Sequence, residues 1–133
     1  MFVTSLQYGS PTGDRNLANP EWDSVEMHLR LLDGDSSDGV ILGSSGNSYL
    51  GVSGGRGNQY VVAGYIAGFG SFILANGEKG HGTRQVVVNG DFNNYPARHV
   101  VGLDDAIAAA KEFFESGDLV KGFIWEKQTL TNK

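Results

Sequence analysis

Residues 100–126, VVGLDDAIAAAKEFFESGDLVKGFIWE, constrain this chain more than any other stretch, and they read as a strand end, a helix and a returning strand. Leu103, Ala106, Ile107, Ala110, Phe113 and Phe114 recur at the spacing that lines one side of an α-helix with apolar groups. That side has to be buried. Gly102 can serve as the N-cap, and Asp104 and Asp105 fall in the first turn, where carboxylates meet the positive end of the helix dipole. Gly117 suits the left-handed position that stops a helix. Phe123, Ile124 and Trp125 then form a run of strand formers too short for a helix. One rule is broken: Glu112 and Glu115 are like charges three apart in the last turn, where the dipole disfavours anions, and no base one turn before Glu112 offsets them.

At 133 residues the chain fits one domain, spanning residues 1–133, large enough to bury a core without staples. The absence of cysteine excludes a disulfide scaffold, thiolate metal sites and a cysteine nucleophile. The start lacks a basic segment followed by a long apolar one, and no apolar run approaches the roughly 18 residues of a membrane span. A cytoplasmic protein is the expectation. A net charge of −5 argues against a nucleic-acid binder, since affinity there comes mainly from Lys and Arg on phosphates. The acids are also unevenly placed. Residues 14–38 hold seven against Arg15 and Arg30, and residues 104–118 hold five against Lys111.

Residues 2–8 alternate well enough for a first strand, and SPTGDRN after them is loop chemistry. Asn19 and Pro20 can open a helix, as cap and first helical residue, whose apolar side is Trp22, Val25, Leu29 and Leu32 and whose end is Asp33 and Gly34. Residues 40–42, 49–52, 59–65 and 69–75 are short strand-forming runs separated by clusters of small polar residues, the pattern of an antiparallel meander. Asn76 and Gly77 could start a turn, residues 84–88 are a β-branched strand, and residues 90–98 read as a longer loop. The expected fold is α+β, a mostly antiparallel sheet of about six to seven strands with two helices packed on one face.

Motifs with chemistry fail on context. Gly51 to Gly55 satisfies G-x-S-x-G, but a nucleophile elbow needs a helix after the serine, and a strand follows here. Ser53 therefore reads as part of a hairpin turn. Asp33, Asp35 and Ser37 alternate as in a calcium loop, yet the sixth position is Asp38 rather than glycine, and the twelfth is Ser44 rather than glutamate. His28, His81 and His99 share no ligand spacing. No catalytic set, metal site or cofactor site is assembled.

Taken in order, Gly57, Asn58, Gln59, Tyr60, Val61 and Val62, then Gly90 through Tyr95 and Pro96, Val100 and Val101, Ala106, Phe113 and Phe114, Gly117, Trp125 and Glu126 form a pattern. It resembles the first immunity-protein family of bacterial polymorphic toxin systems, over roughly residues 48–126. The resemblance implies a small cytoplasmic, cofactor-free protein that neutralises a cognate toxin domain, often a nucleic-acid deaminase, by binding it directly, with no catalytic residues of its own. An acidic inhibitor would meet the basic channel of such a toxin as a complementary potential. The candidate contact residues are the acids Asp33, Asp35, Asp38, Asp91, Glu112 and Glu115, with Phe92 and Tyr95 as aromatic anchors. The partner is then a protein, with neither nucleic acid nor membrane involved. The alternative from another class is a small enzyme or ligand-binding domain using the glycine-rich loops.

Overall fold

The computed structural model describes residues 3–10, 13–33, 39–44, 46–76, 82–88 and 91–128. In chain order the elements are β1 (Ser5–Ser10), β2 (Gly13–Ala18), α1 (Trp22–Arg30), β3 (Gly39–Gly43), β4 (Tyr49–Gly54), β5 (Tyr60–Ile66), β6 (Gly70–Ala75), β7 (Thr83–Val88), β8 (Asp91–Pro96), α2 (Leu103–Ser116) and β9 (Ile124–Gln128). Seven strands form one sheet in the order β2-β1-β3-β4-β5-β6-β9, every neighbouring pair antiparallel, and β7 and β8 form a separate two-stranded ribbon. The α+β architecture read from the sequence is the one found.

Alternation along the strands divides the sheet into two unlike faces. Leu6 lies across from Leu42 and Leu42 from Leu50, while Val40 lies across from Val52 and Val52 from Val62. These rows meet Val25 and Leu29 of α1 and Ala106, Ala110 and Phe113 of α2 in one buried core. Both helices therefore cover the same face. On the other face, Val61 and Ile73 pack with Val86 of the ribbon and with Val100 in a smaller core. The ribbon shields only that part, and Ile41 and Tyr49 of the same face stay exposed.

The helices run antiparallel to each other, since Trp22 at the start of α1 packs on Phe114 near the end of α2, with ring centroids 5.6 Å apart. At the other end, the chain leaving α1 lies against the β4–β5 turn. A Cβ on Gly55, whose φ is +120°, would fall 2.2 Å from the Leu32 carbonyl oxygen, so only glycine allows this approach. That turn also supplies the cap that α2 lacks locally. Gly102 has no side chain to offer, and the Leu103 N–H donates instead to Asn58 Oδ1 at 3.0 Å. Gly117 closes the helix in the left-handed conformation, its N–H donating to the Phe113 carbonyl at 2.9 Å.

Several sequence expectations are corrected. The loop expected at SPTGDRN contains the start of β2, an edge strand held by its ladder to β1 and not by apolar side chains. The loop expected at residues 90–98 is β8 followed by a short 3-10 turn, for the same reason. Asn19 does not cap α1: it takes a left-handed φ of 48°, its N–H donates to the Thr4 carbonyl, and the helix begins after Glu21. Ser53 lies inside β4, opposite Val61, and the turn comes after it at residues 55–59. β1 begins at Ser5 and β9 at Ile124, leaving Phe123 outside the strand. Gly34, Gly77, His81 and Ser37 lie outside the described residues. Among the described residues, no helix is long and apolar enough to cross a membrane.

Candidate partner-binding surface

Glu112 and Glu115 sit on the outer side of α2, the first half-exposed and the second exposed. Glu112 has a local partner: the Ser116 hydroxyl one turn later has both the carbonyl and the carboxylate of Glu112 within hydrogen-bonding reach. This offsets part of the cost of an acid in the last turn. Lys111, adjacent in sequence, leans over the Trp22 ring at 6.0 Å instead of pairing with either glutamate. Asp33 is exposed just beyond α1, and in the antiparallel pair that is the end remote from Glu115, roughly 20 Å along a 14-residue helix. Asp35 and Asp38 lie outside the described residues.

Asp91 and Phe92 begin β8, across from Val88 and Val87, and Phe92 is 68 % exposed. Tyr95 is an odd number of residues further on, so its side chain leaves the ribbon from the opposite face, and it packs inward with Val61 and Ile73. The two aromatic candidates thus do not share a surface. Nor do the ribbon and the glutamates of α2, because ribbon and helices stand on opposite faces of the sheet.

What the structure does bring together is the acid of the helical layer. Glu21, Asp23, Glu26 and Asp33 around α1 and Asp104, Asp105, Glu112, Glu115 and Asp118 around α2 are all exposed or half-exposed, against Arg30 and Lys111. Among the described residues this layer holds nine acids and two bases, while the rest hold three acids and six bases. Arg30 is itself engaged, its guanidinium 2.8 Å from Glu26. Among these charges, Met27 and Leu31 of the same helix side are 50 % and 56 % exposed. The sequence carried a signal for them. They lie four apart and two positions off Val25 and Leu29, which puts them on the far side of the buried stripe.

The other polar constellation ties the ribbon's connection to the sheet edge. His99, almost fully buried, has Nε2 2.8 Å from Glu126 Oε1, and Arg98 Nε donates to the same carboxylate at 3.0 Å. The hydrogen bond from His99, then that from Arg98 and the charges of both, hold the Glu126 carboxyl below its usual 4.5 despite an opposing effect of burial. Asn76, at the end of β6, donates its side-chain amide to the carbonyls of Ala97 and Val100. The set positions residues 97–100 and β9 against β6. His28 stacks on Tyr8 at 3.8 Å between ring centroids, and burial lowers its pKa from 6.5. Among the described residues no three metal-ligating side chains converge.

A family profile, that of Immunity protein Imm1, matches residues 13–126. The match begins well before the stretch in which the sequence pattern was recognised, and so takes in β2, α1 and β3. Comparison with curated proteins gave no match. With a family profile spanning all the elements from β2 to the start of β9, the chain belongs to the Immunity protein Imm1 family.

Proposed function

We propose that this chain neutralises a cognate bacterial toxin domain by binding it directly and occluding its active site or substrate channel, and that the toxin is a nucleic-acid deaminase. Membership of an immunity-protein family supports toxin neutralisation by a protein–protein contact. The observation that carries the reading further is the helical layer, with nine acids against two bases among the described residues on one side of the sheet. A domain that processes nucleic acid needs a basic channel for phosphates, and an acidic surface presents a matching potential to that channel. Occlusion of this kind needs no chemistry from the inhibitor. The exposed Met27 and Leu31 supply apolar contact area within the acidic field.

Co-expression with its cognate toxin domain tests the function. Rescue of growth, with loss of deamination of single-stranded DNA or RNA when the purified proteins are mixed, is the expected result. Rescue from a toxin that deaminates neither would keep the immunity role and overturn the target class. No rescue and no complex would overturn both.

A further inference from the structure

The outward side of α1 carries more apolar surface than its place in the fold requires. Val25 and Leu29 are fully buried and Leu32 nearly so, which completes the side that faces the sheet. At about 100° per residue, Met27 stands two residues from both Val25 and Leu29 and so points away from the core. Leu31, at the C-cap but still in the right-handed helical conformation, follows one turn later on the same ridge, and Asp23 precedes Met27 by one turn. Met27 and Leu31 are each at least half exposed. One exposed apolar side chain needs no explanation, whereas two neighbours on one ridge, ringed by charge, mark a place where a partner sits.

The two side chains line a shallow depression of about 440 Å³ together with Asp23, Glu26 and Arg30. The Arg30 guanidinium lies 2.8 Å from Glu26 and offsets its charge, so Asp23 sets the sign of the rim. Around it stand the other acids of the helical layer, which among the described residues holds nine acids against two bases. The charge present here selects the occupant. A second copy would set this acidic layer against itself, and an anionic lipid surface or a nucleic acid would be repelled in the same way. What complements the ridge is an apolar centre with a cationic rim.

We infer that the ridge of Met27 and Leu31 is the anchor of the interface with the proposed toxin, and that it receives a segment of that protein in which an apolar side chain is flanked by Lys or Arg. The inference rests on the proposed function for the identity of the partner. The ridge belongs to the layer whose charge would draw a basic toxin in, so a single approach serves both. The two parts act at different ranges. Charge acts across solvent and sets how fast the partners meet, while apolar contact acts only at van der Waals distance and sets how long they stay together. Methionine suits the second role, since its unbranched thioether adapts to an irregular apolar surface.

Binding kinetics of the full chain with a catalytically inactive form of the cognate toxin domain separate these parts. Met27→Gln with Leu31→Gln is expected to keep the wild-type melting temperature, since glutamine is a good helix former, and to raise the dissociation rate at least about 10-fold with little change in association. Asp23→Asn with Glu26→Gln is expected to slow association at low salt, with a smaller effect on dissociation. Phe92→Ala, on the ribbon across the sheet, is expected to change neither rate. Hydroxyl-radical footprinting reads Met27 in the wild-type complex, where protection is expected, and covers the case in which the double glutamine variant does not fold. Wild-type dissociation from a folded double glutamine variant, or an unprotected Met27 in a formed complex, would overturn the anchor while leaving the immunity role in place. A dimer of the wild-type chain alone that the same variant dissolves would give the ridge to a second copy and overturn it too. A wild-type chain that forms no complex with the toxin would remove both the anchor and the immunity role.

Discussion

Asn58 joins two elements through one side chain. It holds a left-handed φ of 60° in the β4–β5 turn, and its amide oxygen caps α2. Asn58→Ala is expected to lose the cap, about 1 kcal/mol, while keeping the Cβ that asparagine already holds in the left-handed region. Asn58→Gly loses the cap and that Cβ together, so the gap between the two urea midpoints, about 1–2 kcal/mol, reads the backbone cost of a side chain there. Phe113, 1 % exposed, should cost about 3–5 kcal/mol as Phe113→Ala, whereas Lys111→Ala, which gives up an exposed contact with Trp22, should stay under about 1 kcal/mol. Equal midpoint shifts would place the buried side of α2 wrongly. Acid sensitivity has two separate sources. His28 has a pKa lowered by burial, so the unfolded chain binds its proton more readily, and stability falls as pH drops below about 6.5. Glu126 is held below 4.5 when folded, so its contribution is full above that value and is lost as pH falls through the lower, folded value. Glu126→Gln should flatten the stability curve only below about pH 4.5, and His28→Phe the limb that begins as pH drops below about 6.5.

At the scale of elements, the glutamates at the end of α2 invite a test of what they are for. Glu112→Lys with Glu115→Lys removes anions from the negative end of the dipole, worth a few tenths of a kcal/mol each, and also removes the Ser116 contact, so thermal stability should change little. Association with the toxin should slow, most at low salt, where screening is weakest. An unchanged rate at low ionic strength in the folded variant would move the interface off this helix. Both helices were legible in the sequence because their apolar residues recur at helical spacing, and β3 to β7 were legible from β-branched and aromatic runs. The strands β2 and β8 were not. Their sequences, GDRNLA and DFNNYP, do not alternate apolar with polar, and their place comes from a partner strand whose identity no local pattern states. The same limit applies to the candidate site. Glu112, Glu115 and Phe92 lie at the surface, but which of them share a face depends on strand pairing and on the side to which the ribbon folds. Tyr95 shows this directly, since a three-residue offset from Phe92 along one strand sends it inward.

For the molecule as a whole, the split among the described residues between an acidic helical layer and a more basic remainder gives it a polarity that would orient it in the field of a charged partner. The strand order carries a different consequence, one about assembly. From β3 to β6 the chain forms a meander joined by three short turns, so these pairings close small loops. The pairs β1 with β3 and β6 with β9 close much larger ones, and each encloses a helix: α1 in the first and α2 in the second. Loop-closure entropy grows with length, so the meander is the piece that can form first, and each outer part of the sheet then arrives together with the helix in its connection. In amide hydrogen exchange, β4 and β5 should be the slowest, and β9 should open as a unit with α2, because losing the edge strand also releases the connection that holds the helix down.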